Sequence, residues 1–206
     1  MWSAGGCTVA AKLPPGRHRL TREEVAADQR RRMIAALGEV LQDKGFAGTT
    51  VTDISERARV SKQTFYEHYD SKQACFLDAY ARIHDRVSLA AGTLPEKSTP
   101  LDVFSAVLTN YLDTLSRDPA MARVYLVEVY AAGPEALHAR MRLQQRTVDS
   151  VQEVFGIDDE EGRFACRALV AAIASLATHE LADSDSGDVR SLHAPLVALA
   201  ERLFGA

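Results

Sequence analysis

Residues 49–76 read TTVTDISERARVSKQTFYEHYDSKQACF, and the spacing within this stretch decides the architecture. Thr49 or Thr50 is placed to cap a short helix that starts near Val51, with Asp53 in its first turn, where a carboxylate answers the exposed N–H groups. That helix reaches about Ala58. Arg59, Val60 and Ser61 make a three-residue link, and a second short helix runs from Ser61 or Lys62 to about Tyr69. Val51, Ile54 and Ala58 face inward from the first helix, while Val60, Phe65 and Tyr69 plug the space around the second. Two short helices packed across a tight turn are a helix-turn-helix. The opposite face of the second helix offers Lys62, Gln63, Thr64, Tyr66 and His68, donors suited to phosphates and base edges. The motif needs this split because its second helix lies in the major groove of DNA.

Upstream, Thr21-Arg22-Glu23-Glu24 has the capping-box pattern, and the helix it opens covers about residues 22–44. Ile34, Leu37 and Leu41 recur at spacings of three and four, with Met33 and Val40 beside them, and Gly45 ends the run. Residues 1–20 hold Gly5-Gly6, Pro14-Pro15-Gly16 and few large apolar groups, too little to offset ordering entropy, which predicts a flexible arm. Downstream, Asp70-Ser71 cap a longer helix over about 72–90, striped by Phe76, Leu77, Tyr80, Ile83 and Val87. Gly92-Thr93-Leu94-Pro95 and Ser98-Thr99-Pro100 break the chain. Further helices are expected at about 101–116, 119–131, 134–155, 159–182 and 188–204, punctuated by Asp118-Pro119, Gly133-Pro134, Gly156 and a polar loop from Asp183 to Asp188. Pro119 and Pro134 fall in first turns, where a missing N–H costs nothing. Strand-like alternation is nearly absent. The expected fold is all-α: an arm over 1–20, a three-helix helix-turn-helix domain over 21–70 and a larger helical ligand-sensing and dimerisation domain over 71–206.

Composition agrees with an ordinary globular chain: 206 residues, 47% hydrophobic and 25% charged. No run of 18 or more apolar residues suggests a membrane span, and the first 20 residues lack the apolar core of a secretory signal, so the cytoplasm is the expected place. Cys7, Cys75 and Cys166 are odd in number and far apart, which reads as reduced thiols rather than a disulfide framework; a redox-sensing thiol is the alternative. The net charge of −4 is unevenly spread. Residues 1–92 hold 14 Lys+Arg against 11 Asp+Glu, a balance of +3, and residues 93–206 hold 10 against 17, a balance of −7. An acidic C-terminal part repels phosphates and would keep nucleic acid on the N-terminal side.

From about Arg31 to Tyr80 the chain closely resembles the DNA-binding domain of the TetR family of repressors. The resemblance is carried by Gly45-Phe46, Thr49-Thr50-Val51, Asp53-Ile54, Val60-Ser61-Lys62, Thr64-Phe65-Tyr66, His68-Tyr69 and Ser71-Lys72, in order and at family spacing. It implies a repressor that binds a palindromic operator in double-stranded DNA as a homodimer and is released by a small organic effector. On that basis Thr49, Thr50, Ser61, Lys62, Gln63, Thr64, Tyr66, His68, Tyr69 and Lys72 are the expected DNA-binding residues. Thr49 or Thr50 would bond a phosphate; Lys62, Tyr66, His68 and Lys72 would set register on the backbone; Gln63 and Thr64 would meet base edges. The turn position often held by glycine is Arg59 here, so the turn is expected to be right-handed or the first helix to run on by a residue. Lys12, Arg17, His18, Arg19 and Arg22 would let the arm enter a minor groove, or belong to a tail with no such role.

The remainder would sense and dimerise. Phe164, Leu169, Ile173 and Leu176, interspersed with alanines, and Leu192, Leu196, Leu199 and Leu203 supply two helices that by resemblance form a four-helix bundle with a second subunit. A ligand pocket is expected from Phe104, Leu108, Tyr111, Tyr125, Glu128, Val129, Met141 and His179, although aromatics at helical spacing equally build core. No P-loop, GxGxxG after a strand, HExxH or GxSxG is present, and the six histidines lack ligand spacing, so neither enzyme, metal site nor cofactor is expected. The alternative is a helical ligand-binding protein or enzyme with a vestigial helix-turn-helix.

Overall fold

The computed structural model describes residues 21–88, 97–182 and 188–205. The expectations for the arm at 1–20, the break at 92–95 and most of the Asp183–Asp188 loop lie outside those residues, as do Cys7 and the side chain of Val87. Among the described residues all regular structure is helical, and the chain divides into two compact units between Ala79 and Tyr80.

The first unit holds α1 (Arg22–Gly48), α2 (Val51–Ala58), α3 (Lys62–His68) and the start of α4 (Lys72–Ser88). Thr21 and Glu24 exchange the two bonds of a capping box, at 3.2 and 2.6 Å, and so fix where α1 begins. Met33, Ala36, Leu37, Val40 and Leu41 are the buried face of α1. Gly45, at φ 65°, leaves the helical conformation before one more turn. Thr50 and Asp53 repeat the capping box at the start of α2, and Asp53 meets Lys44 at 2.6 Å, tying the end of α1 to that cap. Arg57 of α2 reaches back to Glu39 and Asp43 of α1. Beneath these exposed pairs, which solvent screens, Ile54, Ala58 and Phe65 are buried in the core of the unit.

Arg59 corrects the expectation for the turn. Its φ of 55° and ψ of 47° are left-handed, and α2 stops at Ala58. This conformation returns the N–H groups of Arg59 and Val60 to the carbonyls of Glu56 and Ser55, at 3.1 and 3.0 Å, and reverses the chain within three residues. A left-handed non-glycine residue costs roughly 1–2 kcal/mol. Arg32 of α1 offsets that cost. Its Nη1 donates to the carbonyls of Ala58, at 2.6 Å, and Arg59, at 3.3 Å, while Asp28 holds its Nε at 2.9 Å.

The second unit holds the rest of α4 with α5 (Pro100–Arg117), α6 (Pro119–Leu126), α7 (Pro134–Phe155), α8 (Glu160–Ala182) and α9 (His193–Phe204). Thr99 and Asp102 cap α5, Asp118 caps α6, and Gly156 in a left-handed conformation ends α7. Two expected helices are shorter than their sequence spans. The run at 119–131 stops at Leu126 and tightens into a 3₁₀ turn at Glu128–Tyr130 before Gly133, whose φ of 94° suits only glycine well. The run at 188–204 begins as a 3₁₀ turn, Val189–Leu192, because an α-helix there would drive the Pro195 ring into the carbonyl four residues back. The core centres on Leu108, Leu112, Leu115, Val124, Leu126, Leu169 and Leu196. His193 links α9 to α5 through Thr109, at 2.9 Å.

Replacing Arg32 with Met should lower the unfolding free energy by roughly 1.5–3 kcal/mol, the range for hydrogen bonds to a charged group. Arg59→Gly should raise the midpoint. Chemical denaturation measures both, and an Arg32→Met protein as stable as the wild type would show that the clamp contributes nothing.

Candidate nucleic-acid interface and ligand cavity

The outward surface of α3 is short and polar. Ser61, as N-cap, accepts from the Thr64 N–H at 2.9 Å and shares a hydrogen with the Thr64 hydroxyl. Lys62, Gln63 and Tyr66 point to solvent, Tyr66 with 55% of its surface exposed, and Gln63 leans on Glu67 at 3.3 Å. Phe65 on the opposite side is fully buried. These exposed groups sit on the helix that follows the turn, within reach of one another, as the sequence expected.

Four expected contact residues have other work. Thr49 is 1% exposed; its hydroxyl donates to the Gly45 carbonyl at 2.7 Å, so Thr50 is the threonine at the start of α2. Tyr69 is buried, and its hydroxyl donates to Asp78 at 2.6 Å. Lys72 places Nζ 2.8 Å from each of the carbonyls of Phe46 and Thr49 and 4.5 Å above the Phe46 ring, so its charge closes the end of α1. His68 is half-buried with Nε2 2.8 Å from the Gln29 amide oxygen, and burial, then Arg30, lowers its pKa. All four lie near a helix end, where a side chain turns back to orphan backbone groups or to the neighbouring helix. The cap of α2 is itself strongly ionised: the Lys44 ammonium, then the Thr50 hydroxyl and N–H, hold the Asp53 carboxyl at about 2.

Within the second unit, α4, α5, α6, α7 and α8 enclose a cavity of about 410 Å³. Phe104, Leu108, Tyr111 and Tyr125 line it as expected. Tyr80, His84, Arg140 and Gln144 also line it and were not anticipated. Tyr80 and Tyr125 stack at 4.9 Å, and the Tyr125 hydroxyl lies 3.0 Å from His84 Nδ1. Burial pushes the phenols of Tyr80, Tyr111 and Tyr125 up, and lowers His84, so all four stay neutral near pH 7. The other expected lining residues are elsewhere. Val129 is fully buried and Glu128 nearly so, neither on the cavity wall; Met141 is 65% exposed because it is rotated about 100° from Arg140. His179 is exposed on α8. The signal for Arg140 and Gln144 was their spacing with Thr147 and Val151 along one face of α7.

The residues expected at a subunit interface divide in the same way. Phe164, Leu176 and Leu203 are exposed, at 65, 43 and 43%. Ile173, Leu192 and Leu199 are half-buried. Leu169 and Leu196 are buried within their own chain, on the sides of α8 and α9 that face the core, and are unavailable to a partner. Burial also raises the thiols of Cys75, to about 12, and Cys166, which leaves both unreactive near neutrality.

Residues 34–79 match the family model described as bacterial regulatory proteins, tetR family. The regulator EthR of Mycobacterium tuberculosis is 30% identical over 92 residues, which cover 45% of this chain and 42% of EthR, so the match spans less than half of that relative. The transcriptional activator FasR of Mycolicibacterium smegmatis is 25% identical over 169 residues, 81% of this chain and 75% of FasR. A tetR-family regulatory protein from Rhodococcus RHA1 superposes with a TM-score of 0.67 at 24% identity, covering 85% of this chain and 96% of that one. FadR from Bacillus subtilis, in complex with stearoyl-CoA, superposes with a TM-score of 0.72 at 16% identity, covering 82 and 96%. These structural likenesses establish the fold.

Lys72→Met should destabilise the first unit by roughly 1–3 kcal/mol, since the part-buried Thr49 carbonyl loses its charged donor and the Phe46 carbonyl keeps only the Thr49 N–H. Lys62→Met, at an exposed site, should change the melting temperature little. Thermal unfolding of the two variants separates the inward lysine from the outward one; equal midpoints would overturn the assignment.

Proposed function

Residues 34–79 belong to the tetR family of bacterial regulatory proteins, and on that premise we propose that the chain is a ligand-responsive transcriptional repressor. It acts as a homodimer on a palindromic operator in the cytoplasm and is released by a small organic molecule. The observation that carries this reading is the division of α3 into a buried Phe65 side and an exposed Lys62–Gln63–Tyr66 side behind a turn held by Arg32. Such a helix enters a major groove with Gln63 and Thr64 toward base edges and Lys62 and Tyr66 toward the backbone. It reads only a few base pairs, so a second copy about 34–36 Å away along the duplex supplies the other half-site.

The exposed side of α8 supports the pairing of two chains. Phe164, Ala168, Ala171 and Leu176 are exposed along it, and α9 adds Ala198 and Leu203. By length and composition Glu160–Leu181 would cross a membrane, but Cys166, Leu169, Val170 and Ala177 pack it into its own unit, so the uncovered strip suits a partner helix better than lipid. The cavity, within the ~300–1,000 Å³ of small-molecule sites, is the effector site. The B. subtilis FadR fold, solved with stearoyl-CoA, gives a precedent for an organic occupant. α4 supplies Phe76 to the first core and Tyr80 and His84 to the cavity wall, and ligand shifts that helix. The chain acts by binding rather than by turnover. A second reading, a transcriptional activator, has the FasR likeness in its favour.

Fluorescence anisotropy against the DNA flanking the gene, with scrambled DNA as competitor, tests the reading. Selective binding is expected. Gln63→Ala should alter the ranking across an operator panel, while Lys62→Ala should weaken every site alike; no selectivity in the wild type would sink the proposal. A reporter in cells lacking the gene separates the two readings, rising for a repressor and falling for an activator. In sedimentation experiments the wild type should be dimeric and Leu176→Glu shifted toward monomer, with a wild-type monomer overturning the pairing.

A further inference from the structure

The tyrosines of the cavity gather around Arg140, while Arg146, Thr147 and Ser150 continue a polar lining along α7. α7 presents Arg140, Gln144, Thr147 and Val151 to it in successive turns, with Arg146 and Ser150 beside the last two, so the half-buried charge of Arg140 and the buried Val151 lie about 16 Å apart. The pairing with α5 follows the same direction. Phe104, near the start of α5, lies 5.8 Å from Phe155 at the end of α7, whereas Tyr111, two turns further along α5, faces the charge of Arg140. The apolar end is continuous with Val151 and Val170 of the core.

Arg140 is half-buried and has no carboxylate partner among the described residues. Its guanidinium hydrogen-bonds the Tyr80 hydroxyl and lies 5.1 Å over the Tyr130 ring, so what holds it is one phenol and a ring face, not a counter-charge. The Tyr111 hydroxyl has no hydrogen-bond partner among the described residues and lines the same cavity. The other two charges on the wall, Asp85 and Arg146, are exposed and bear on His84, which leaves the lining with an excess of one positive charge. A partly desolvated cation beside a donor hydroxyl is a site waiting for an anion.

We propose that the cavity takes an amphipathic organic monoanion, with its carboxylate on Arg140 and Tyr111 and its apolar body directed toward Phe104 and Val151; this rests on the reading of the cavity as the ligand site. The guanidinium donates to the carboxylate, the Tyr111 hydroxyl donates a further bond, and the apolar tail displaces water from the Phe104 end. The neutral phenols around Arg140 act as donors and never compete as anions, because burial keeps them protonated.

Isothermal titration calorimetry on the full chain, with decanoate against decanol and phenylbutyrate against phenylbutanol, tests this. At least one acid should bind the wild type about tenfold or more tightly than its alcohol, the advantage of a charge-assisted over a neutral hydrogen bond. Arg140→Gln should bring that acid to the level of the alcohol without changing the alcohol, Arg140→Lys should keep most of the preference, and Tyr111→Phe should weaken the acid alone by a few fold. Equal affinity for acid and alcohol, or a preference that survives Arg140→Gln, would overturn the anion and leave the cavity reading standing. Binding by none of the four compounds would overturn both. If Arg140→Gln proves unfolded by circular dichroism, the wild-type contrast and the Tyr111→Phe and Arg140→Lys proteins decide alone.

Discussion

The first unit depends on cations that cap the carbonyl ends of helices. Arg32 reaches the carbonyls of Ala58 and Arg59, and Lys72 those of Phe46 and Thr49. An α-helix leaves four carbonyls without internal partners at its C-terminus. A unit in which one long helix packs with two short ones has several such ends close together. A left-handed Arg59 is tolerated because the carbonyls on either side of its peptide are already bonded. The direction of α3, and so the side that Lys62, Gln63 and Tyr66 present, follows from that turn.

Much of this was legible in the residues. Thr21 with Glu24, Thr50 with Asp53 and Thr99 with Asp102 close capping boxes; the spacing of the first marks it as one, and α2 has Thr49 and Thr50 as adjacent cap candidates. Pro134 and Gly156 bracket α7 where proline and glycine predict. What failed was side-chain direction at helix ends. Thr49, Tyr69 and Lys72 are polar or amphipathic, sit beside exposed residues in sequence and look available. Their partners, Gly45, Asp78 and the Phe46 carbonyl, belong to other turns of the fold, and local spacing contains no information about them. Arg59 failed for the opposite reason: a local rule against positive φ was overruled by a tertiary bond from a residue 27 positions earlier.

The second unit shows the same limit. Phe104, Leu108, Tyr111 and Tyr125 were visible because aromatic and aliphatic side chains at helical spacing mark an inward face. Arg140 was not, because a charge on a long amphipathic helix reads as a solvated one. Met141, its apolar neighbour, reads as the inward residue and is exposed. One residue along a helix is nearly a third of a turn, enough to exchange inside for outside. Leu169 and Leu196 failed similarly, since a helix apolar on several sides does not say which side its own chain covers.

The ion pairing within the first unit has a consequence for its encounter with a polyanion. Arg31 and Arg32 are tied to Asp28, Lys44 to Asp53, and Arg57 to Glu39 and Asp43, while Lys72 is held on backbone carbonyls. Among residues 21–79 that leaves Arg22, Arg30, Arg59 and Lys62 as cations whose side chains have no hydrogen bond or ion pair to a partner among the described residues. Each phosphate neutralised releases roughly 0.9 of a condensed counterion. With four such cations among residues 21–79, that part of the chain has little entropy of ion release available to it. On the proposed DNA-binding reading, residues 21–79 would by themselves hold random duplex weakly and slide along it little.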